Sequence, residues 1–135
     1  MPAADDLDNY ERTLYGEVRG EHWDTKIACA WVIRNRADHP GWWGHTVTEV
    51  CRKPLQFSCW NPDDPNYPII LTGSINNMAY RQCRAAACLV YDHGVPDPTN
   101  GATHYHDVSI APPSWTMGMM QTHQSGRLIF YRLAS

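Results

Sequence analysis

Apolar residues recur at helical steps in the opening segment. Leu7, Tyr10, Leu14, Tyr15 and Val18 fall three or four residues apart and form one stripe. Asp5 or Asp6 can cap this helix, and both suit its positive N-terminal end. Gly16 weakens the last turn and Gly20 is the expected stop, which places Glu17 and Arg19 at or just past the C-terminal end. The run from Thr25 to Arg36 is apolar on most sides, with Ile27, Ala28, Cys29, Ala30, Trp31, Val32 and Ile33 in sequence. A helix apolar nearly all round is a core helix, so Trp31 is assigned to the core. Asp24 is its expected cap, and Pro40-Gly41 breaks the chain after it.

Later elements are shorter. Thr46 to Cys51 predicts a short helix ended by Pro54. Gln56 to Trp60 reads as extended, and Asn61 to Pro68, with Pro62, Pro65 and Pro68, as a loop. Ser74 can cap a long helix to Tyr91, in which Ile75, Met78, Ala79, Gln82, Ala86, Leu89 and Val90 keep the period. His93-Gly94 is its natural stop. Ala102 to His106 alternates, and Leu128 to Arg132 is apolar and β-branched or aromatic, so both predict strands. The Pro112-Pro113 pair and the Met-rich stretch from Trp115 to Met120 carry no predicted element. The order gives helices around one buried helix, with a small antiparallel sheet late in the chain: an α+β fold in one domain over residues 1–135.

Composition narrows the classes. With 135 residues, 43% of them hydrophobic and 19% charged, the chain can bury a real core. Eleven basic against fourteen acidic residues give a net charge of −3 with no basic run, which points away from nucleic acid. No apolar run approaches the ~18 residues of a membrane span, so no stable membrane insertion is expected. The start, Met1-Pro-Ala-Ala-Asp-Asp, has no basic and apolar leader, so synthesis in the cytoplasm without a signal peptide is expected. Cys29, Cys51, Cys59, Cys83 and Cys88 make an odd count without a CxxC pair, and read as buried thiols rather than a disulfide framework.

Three clusters could carry chemistry. Tyr15-Gly-Glu-Val-Arg-Gly-Glu21 sets two carboxylates and a cation between glycines at a helix end. Glu17 follows an apolar face, and burial there would raise its pKa, as a general acid at neutral pH needs. The same residues also fit a solvated helix end with an Arg19 salt bridge. Trp42, Trp43, Trp60, Trp115 and Tyr105 form a second group, several of them in loops. Flat rings in loops can stack on sugars, although each also fits plain core packing. In Gly101-Ala-Thr-His-Tyr-His106, His104 and His106 point to one face of a strand. Together with Asp107 or a cysteine they could bind zinc, but no second ligand pair has zinc spacing, so a polar strand edge facing a cleft is the preferred reading. There is no Gly-x-Ser-x-Gly elbow and no phosphate loop.

Five blocks together resemble the SleB/CwlJ-type cell wall hydrolases, the spore cortex-lytic enzyme family. Tyr15-Gly-Glu-Val-Arg-Gly-Glu21 is similar to the family's YGEARGE signature, with Val18 in place of the usual alanine. Ile27 to Arg36, Gln56-Phe-Ser-Cys-Trp60, Gly101 to His106 and Phe130-Tyr-Arg132 follow in family order, over about residues 7 to 132. Between Trp115 and Phe130 the chain is Met-rich and departs from the family's spacing of basic residues.

The resemblance implies a single catalytic domain with a lysozyme-like, lytic-transglycosylase-like fold that cleaves peptidoglycan glycan strands and uses no cofactor or metal. Glu17 matches the family's catalytic glutamate. Glu21, Gln56, Ser58, Trp60, Thr103, His104, Tyr105 and Trp115 are placed around the substrate. With no second carboxylate in an obviously matched segment besides Glu21, a lytic transglycosylase using one glutamate is favoured, and hydrolytic muramidase action is the alternative. A non-catalytic glycan-binding module and a zinc hydrolase on His104 and His106 are the rivals from other classes. A monomer is expected. Without a leader, the protein would reach the wall on release from the cell, as a bacteriophage endolysin does during host lysis; a bacterial spore or housekeeping enzyme is the rival expectation.

Overall fold

The opening stripe does form a helix. In the computed structural model, which describes residues 4–133, α1 runs Ala4–Val18 with Asp5 and Asp6 in its first turn. Tyr10, Leu14, Tyr15 and Val18 are buried. α2 (Trp23–Asp38) is the central helix, with an unbroken buried stretch from Thr25 to Ile33. Trp31 is 7% exposed, as a core residue should be. Asp24 lies inside the first turn of α2 rather than capping it; His22 holds the N-cap position and makes no side-chain cap. Lys26 is buried beside it, donating from Nζ to Glu21 O at 2.6 Å and Gln82 Oε1 at 3.1 Å.

α3 (Val47–Arg52) is capped by Thr46, whose hydroxyl accepts from Glu49 N at 3.1 Å. The segment read as extended, Gln56 to Trp60, instead ends in a 3-10 turn over Ser58–Trp60. Its conformation is set by packing: Phe57 and Cys59 turn inward, while Trp60 Nε1 donates to Thr13 Oγ1 on α1 at 2.8 Å. The proline-rich stretch is a loop only up to Asn66. Pro68 then sits in the first turn of a further short helix, α4 (Tyr67–Leu71), where its missing N–H costs nothing. α5 (Met78–Tyr91) starts later than Ser74, because Asn77 provides the cap by accepting from Tyr80 N at 3.1 Å. Its end is a Schellman turn: His93 N bonds Val90 O at 3.0 Å and Gly94 N bonds Leu89 O at 2.7 Å. The positive φ of this turn, 56°, falls on His93.

The sheet has three antiparallel strands in the order β1–β3–β2. β1 (His104–Asp107) pairs with β3 (Leu128–Leu133), Tyr105 opposite Phe130. β2 (Met119–Ser125) lies on the far edge of β3, with a bulge between Gln121 and His123. This strand had no sequence signal: its residues are half-exposed or exposed and do not alternate in polarity. Leu128 and Phe130 seal the sheet against the core. All five cysteines are free thiols, four of them buried. Among the described residues no helix is long and apolar enough to cross a membrane.

Candidate active site

Glu17 occupies the last turn of α1, the helix that packs against α2, α3, α4 and α5. This packing fixes the carboxyl where two depressions meet. On one side is a cleft of about 470 Å³ lined by Glu17, Arg36, Trp42, Leu55, Gln56, Phe57, His104, Tyr105 and Trp115. On the other is a more open groove of about 410 Å³ lined by Gly16, Glu17, Val18, Arg19, Gly20, Glu21, Asn66 and Arg127. Glu17 is common to both.

Tyr105 projects from β1 and donates from Oη to Glu17 Oε1 at 2.6 Å. Burial is the largest influence on this carboxyl and raises its pKa; the Tyr105 hydrogen bond and the Arg36 charge act the other way, and Asp64 adds to the rise. The Tyr105 phenol is itself pushed far up by burial and by the neighbouring Cys29 and Glu17, so it stays a donor. Arg19 does not pair with either glutamate. It donates to Asn66 Oδ1 at 2.8 Å and Tyr15 O at 3.1 Å, which closes the end of α1.

Two elements of the cleft wall hold each other in place. Arg36, on α2, is 6% exposed and donates from Nε to Thr103 O at 2.7 Å. Its guanidinium lies over the Trp43 and Phe57 rings at 5.5 and 5.6 Å. His104 Nδ1 is 2.9 Å from Thr103 Oγ1. Burial, then the Arg36 charge, pulls the His104 imidazole down to about 4, so it is neutral near pH 7. Trp115 stacks beside His104 at 5.1 Å and His106 at 5.9 Å, so both histidines do share one face of β1. His106 is fully engaged: Nδ1 meets Asp107 O at 2.9 Å and Nε2 meets the Tyr131 hydroxyl at 2.8 Å. Among the described residues no three His, Cys, Asp or Glu side chains are grouped to hold a metal ion.

The structure therefore gathers Glu17, Gln56, His104, Tyr105 and Trp115 around one cleft. Glu21 lines the adjoining groove, its Oε1 3.4 Å from Arg127 N in the β2–β3 turn. Gly126 in that turn has φ 55°, and a Cβ there would lie 3.2 Å from Glu21 Oε2, so glycine lets the turn approach the carboxylate. Thr103 is buried behind the wall and supports Arg36 and His104 from there. Trp60 lies against Arg52 at 4.2 Å, and neither it nor Ser58 lines the cleft or the groove. Trp42, one of the candidate stacking aromatics, also lines the cleft, and Arg36, Leu55 and Phe57 complete it without a signal in the sequence. Arg36 carries no signal in the sequence, since it follows Arg34 and Asn35 at the polar end of the apolar run.

This arrangement has relatives. The chain belongs to the Cell Wall Hydrolase family, whose profile matches residues 20–131. The spore cortex-lytic enzyme of Halalkalibacterium halodurans is 28% identical over 125 residues, covering 93% of this chain and 34% of the relative. That of Bacillus subtilis is 28% identical over 119 residues, covering 88% and 35%. The chain thus spans about a third of the length of these curated relatives. Among solved structures, it is similar to the catalytic domain of the germination-specific lytic transglycosylase SleB from Bacillus anthracis. The TM-score is 0.75 at 25% identity, over 97% of both chains. The catalytic domain of Bacillus cereus SleB shares the fold, with a TM-score of 0.73 at 24% identity over 98% of this chain and 93% of that one.

Proposed function

We propose that the chain degrades peptidoglycan by cleaving the MurNAc–GlcNAc β-1,4 bond as a lytic transglycosylase, with Glu17 as the one proton carrier. The observation that carries this reading is the Glu17 carboxyl itself: sheltered, bonded by Tyr105 and shared by two depressions that a glycan strand could thread. Burial favours its neutral form, the form that can give a proton.

The neutral carboxyl protonates the glycosidic oxygen as the C1–O bond breaks. The resulting carboxylate faces the oxocarbenium-like carbon and is held in orientation by the Tyr105 hydroxyl. It then takes the proton of the muramyl 6-hydroxyl as that oxygen bonds to C1, closing a 1,6-anhydro ring and returning Glu17 to its starting form. Trp42 and Trp115 supply apolar faces for sugar rings, and Gln56 and neutral His104 supply hydrogen bonds.

Among the described residues Glu17 is the only carboxylate lining the cleft, which favours the one-glutamate route over a pair of acids. Glu21, in the adjoining groove, is the observation that favours hydrolysis as second reading. Mass spectrometry of fragments released from purified peptidoglycan separates the two. Anhydro-muramyl ends support transglycosylation; reducing ends alone support the muramidase. Running the digestion with a chelator separates both from a zinc hydrolase, whose activity the chelator would abolish.

A further inference from the structure

Trp42 and Leu55 are the most exposed apolar side chains of the cleft, at 57% and 86%, and neither belongs to the core. Both are set there by fixed backbone. Trp42 sits in a tight turn closed by Gly44 N, which donates to Gly41 O at 3.1 Å. The adjoining ring anchors that turn, Trp43 Nε1 donating to Arg36 O at 2.8 Å. Leu55 has φ 69°, a left-handed conformation that a bulky side chain rarely adopts. Such strain persists only where the surroundings impose it, and it gathers at functional sites. Here it holds an apolar side chain in water at the rim of a cleft.

Beside these two residues lies a hollow of about 520 Å³ that the catalytic step does not use. Trp42, His45, Glu49, Arg52, Lys53 and Pro54 line it. Trp42 belongs to both the cleft and the hollow, and Pro54 of the hollow directly precedes Leu55 of the cleft. Trp42 and the Pro54-Leu55 step therefore form the saddle between the two depressions. Groove, cleft and hollow lie in series, joined first at Glu17 and then at Trp42. The hollow pairs an indole face with exposed polar groups at its edge, His45, Glu49 and Lys53, which is the lining that suits a sugar ring. Lys53 makes no ion pair among the described residues and keeps its donors for a ligand.

We infer that this hollow is a distal subsite for further sugars of the strand cleaved at Glu17, with Trp42 and Leu55 gripping the strand where it crosses the saddle. The inference rests on the glycan-strand reading above and goes beyond it by adding a length requirement. A short fragment fills the cleft alone, whereas a longer one also gains the saddle and the hollow. Leu55 is then a substrate-binding residue, kept in place against local strain.

The test measures kcat/KM of the whole chain on tetra-, hexa- and octasaccharide pools. These are cut by a muramidase from peptidoglycan that the protein is given to clear, and sorted by length. The value should rise at least about tenfold from the shortest pool to the longest, the scale of one stacked aromatic contact and the area it buries. Leu55→Asn accepts the left-handed backbone more readily and removes the apolar contact. It should raise the thermal midpoint and also raise KM on the octasaccharide pool by about three- to tenfold; a loss of binding that accompanies a gain in stability is not damage to the fold. A wild type that clears peptidoglycan yet cleaves the three pools equally well would overturn the distal subsite and leave the glycan reading standing. A wild type that clears nothing and cleaves no pool would overturn both. Leu55→Asn with an unchanged KM, or with a lower midpoint, would overturn the grip assigned to Leu55.

Discussion

The Tyr105 hydroxyl meets Glu17 Oε1 at 2.6 Å, joining the first strand of the sheet to the end of the first helix across 88 positions of sequence. That bond opposes the effect of burial. Burial favours the neutral carboxyl, whereas the phenol favours the charged one and so eases the return half of the proton cycle.

Tyr105→Phe isolates this contribution. The ring keeps its place beside Phe130, 5.7 Å away, so the fold should persist. Without the donor the Glu17 pKa rises further, and the alkaline limb of the pH–rate profile moves to higher pH. The kcat/KM profile on purified peptidoglycan checks this. A limb that stays put, or moves to lower pH, contradicts the role given to Tyr105.

Glu17→Gln should be more stable than the wild type above neutrality. The folded pKa of Glu17 is raised, so the stability tied to this group is fully present below the unfolded value of about 4.3 and is lost as pH rises through the folded pKa. Gln stays neutral throughout and its amide oxygen can still accept from Tyr105. Thermal midpoints at pH 8 and pH 4 should show a gain for the variant that vanishes at the lower value. A variant less stable than wild type at pH 8 would mean the carboxyl is not sheltered.

His104 works in the opposite sense. Its folded pKa of about 4 lies below the ordinary 6.5, so its contribution is whole above pH 6.5 and is lost as pH falls toward 4. His104→Gln should flatten the decline in stability over that window, as read from denaturant midpoints at pH 7, 5.5 and 4. Parallel declines for variant and wild type would assign the acid sensitivity elsewhere.

Gly16 and Gly20 flank Glu17 and should respond differently to alanine. A Cβ on Gly16 would lie 2.6 Å from Cys59 Cβ, 2.7 Å from its Sγ and 2.9 Å from Ile70 Cγ2, while one on Gly20 meets nothing within 4 Å. Alanine ordinarily improves a helix by up to about 1 kcal/mol, but overpacking costs about 1–3 kcal/mol, so the clash wins at Gly16. Gly16→Ala should lose stability and, by displacing the last turn of α1, activity. Gly20→Ala should stay within about 0.5 kcal/mol of wild type. Urea denaturation compares the two directly.

Much of this was legible in the residues, for identifiable reasons. α2 could be read because nine adjacent buried positions leave no polar face, and α1 because its stripe ends beside the acid. β1 and β3 carry aromatic and β-branched side chains that only a sheet buries well. β2 could not be read: Met119 to Ser125 is an edge strand held by its pairing with β3. The 3-10 turn at Ser58–Trp60 and the late start of α5 were decided by tertiary contacts and by a better cap at Asn77. In the site, Glu17 and Tyr105 stood out by type and spacing. Trp60 is equally suitable by type, but its indole N–H is bonded to the buried Thr13 of α1, away from the cleft. Arg36 is inconspicuous in the sequence because helix ends commonly carry arginine; only the folded chain places it in the cleft wall.

The most direct test is the clearing of purified peptidoglycan by the wild type and by Glu17→Gln, compared at equal folded concentration. The account predicts clearing by the wild type and a loss of at least ~100-fold in rate for the variant, the lower end for removing a general acid. Near-equal clearing by the two proteins, or none by the wild type, would contradict it.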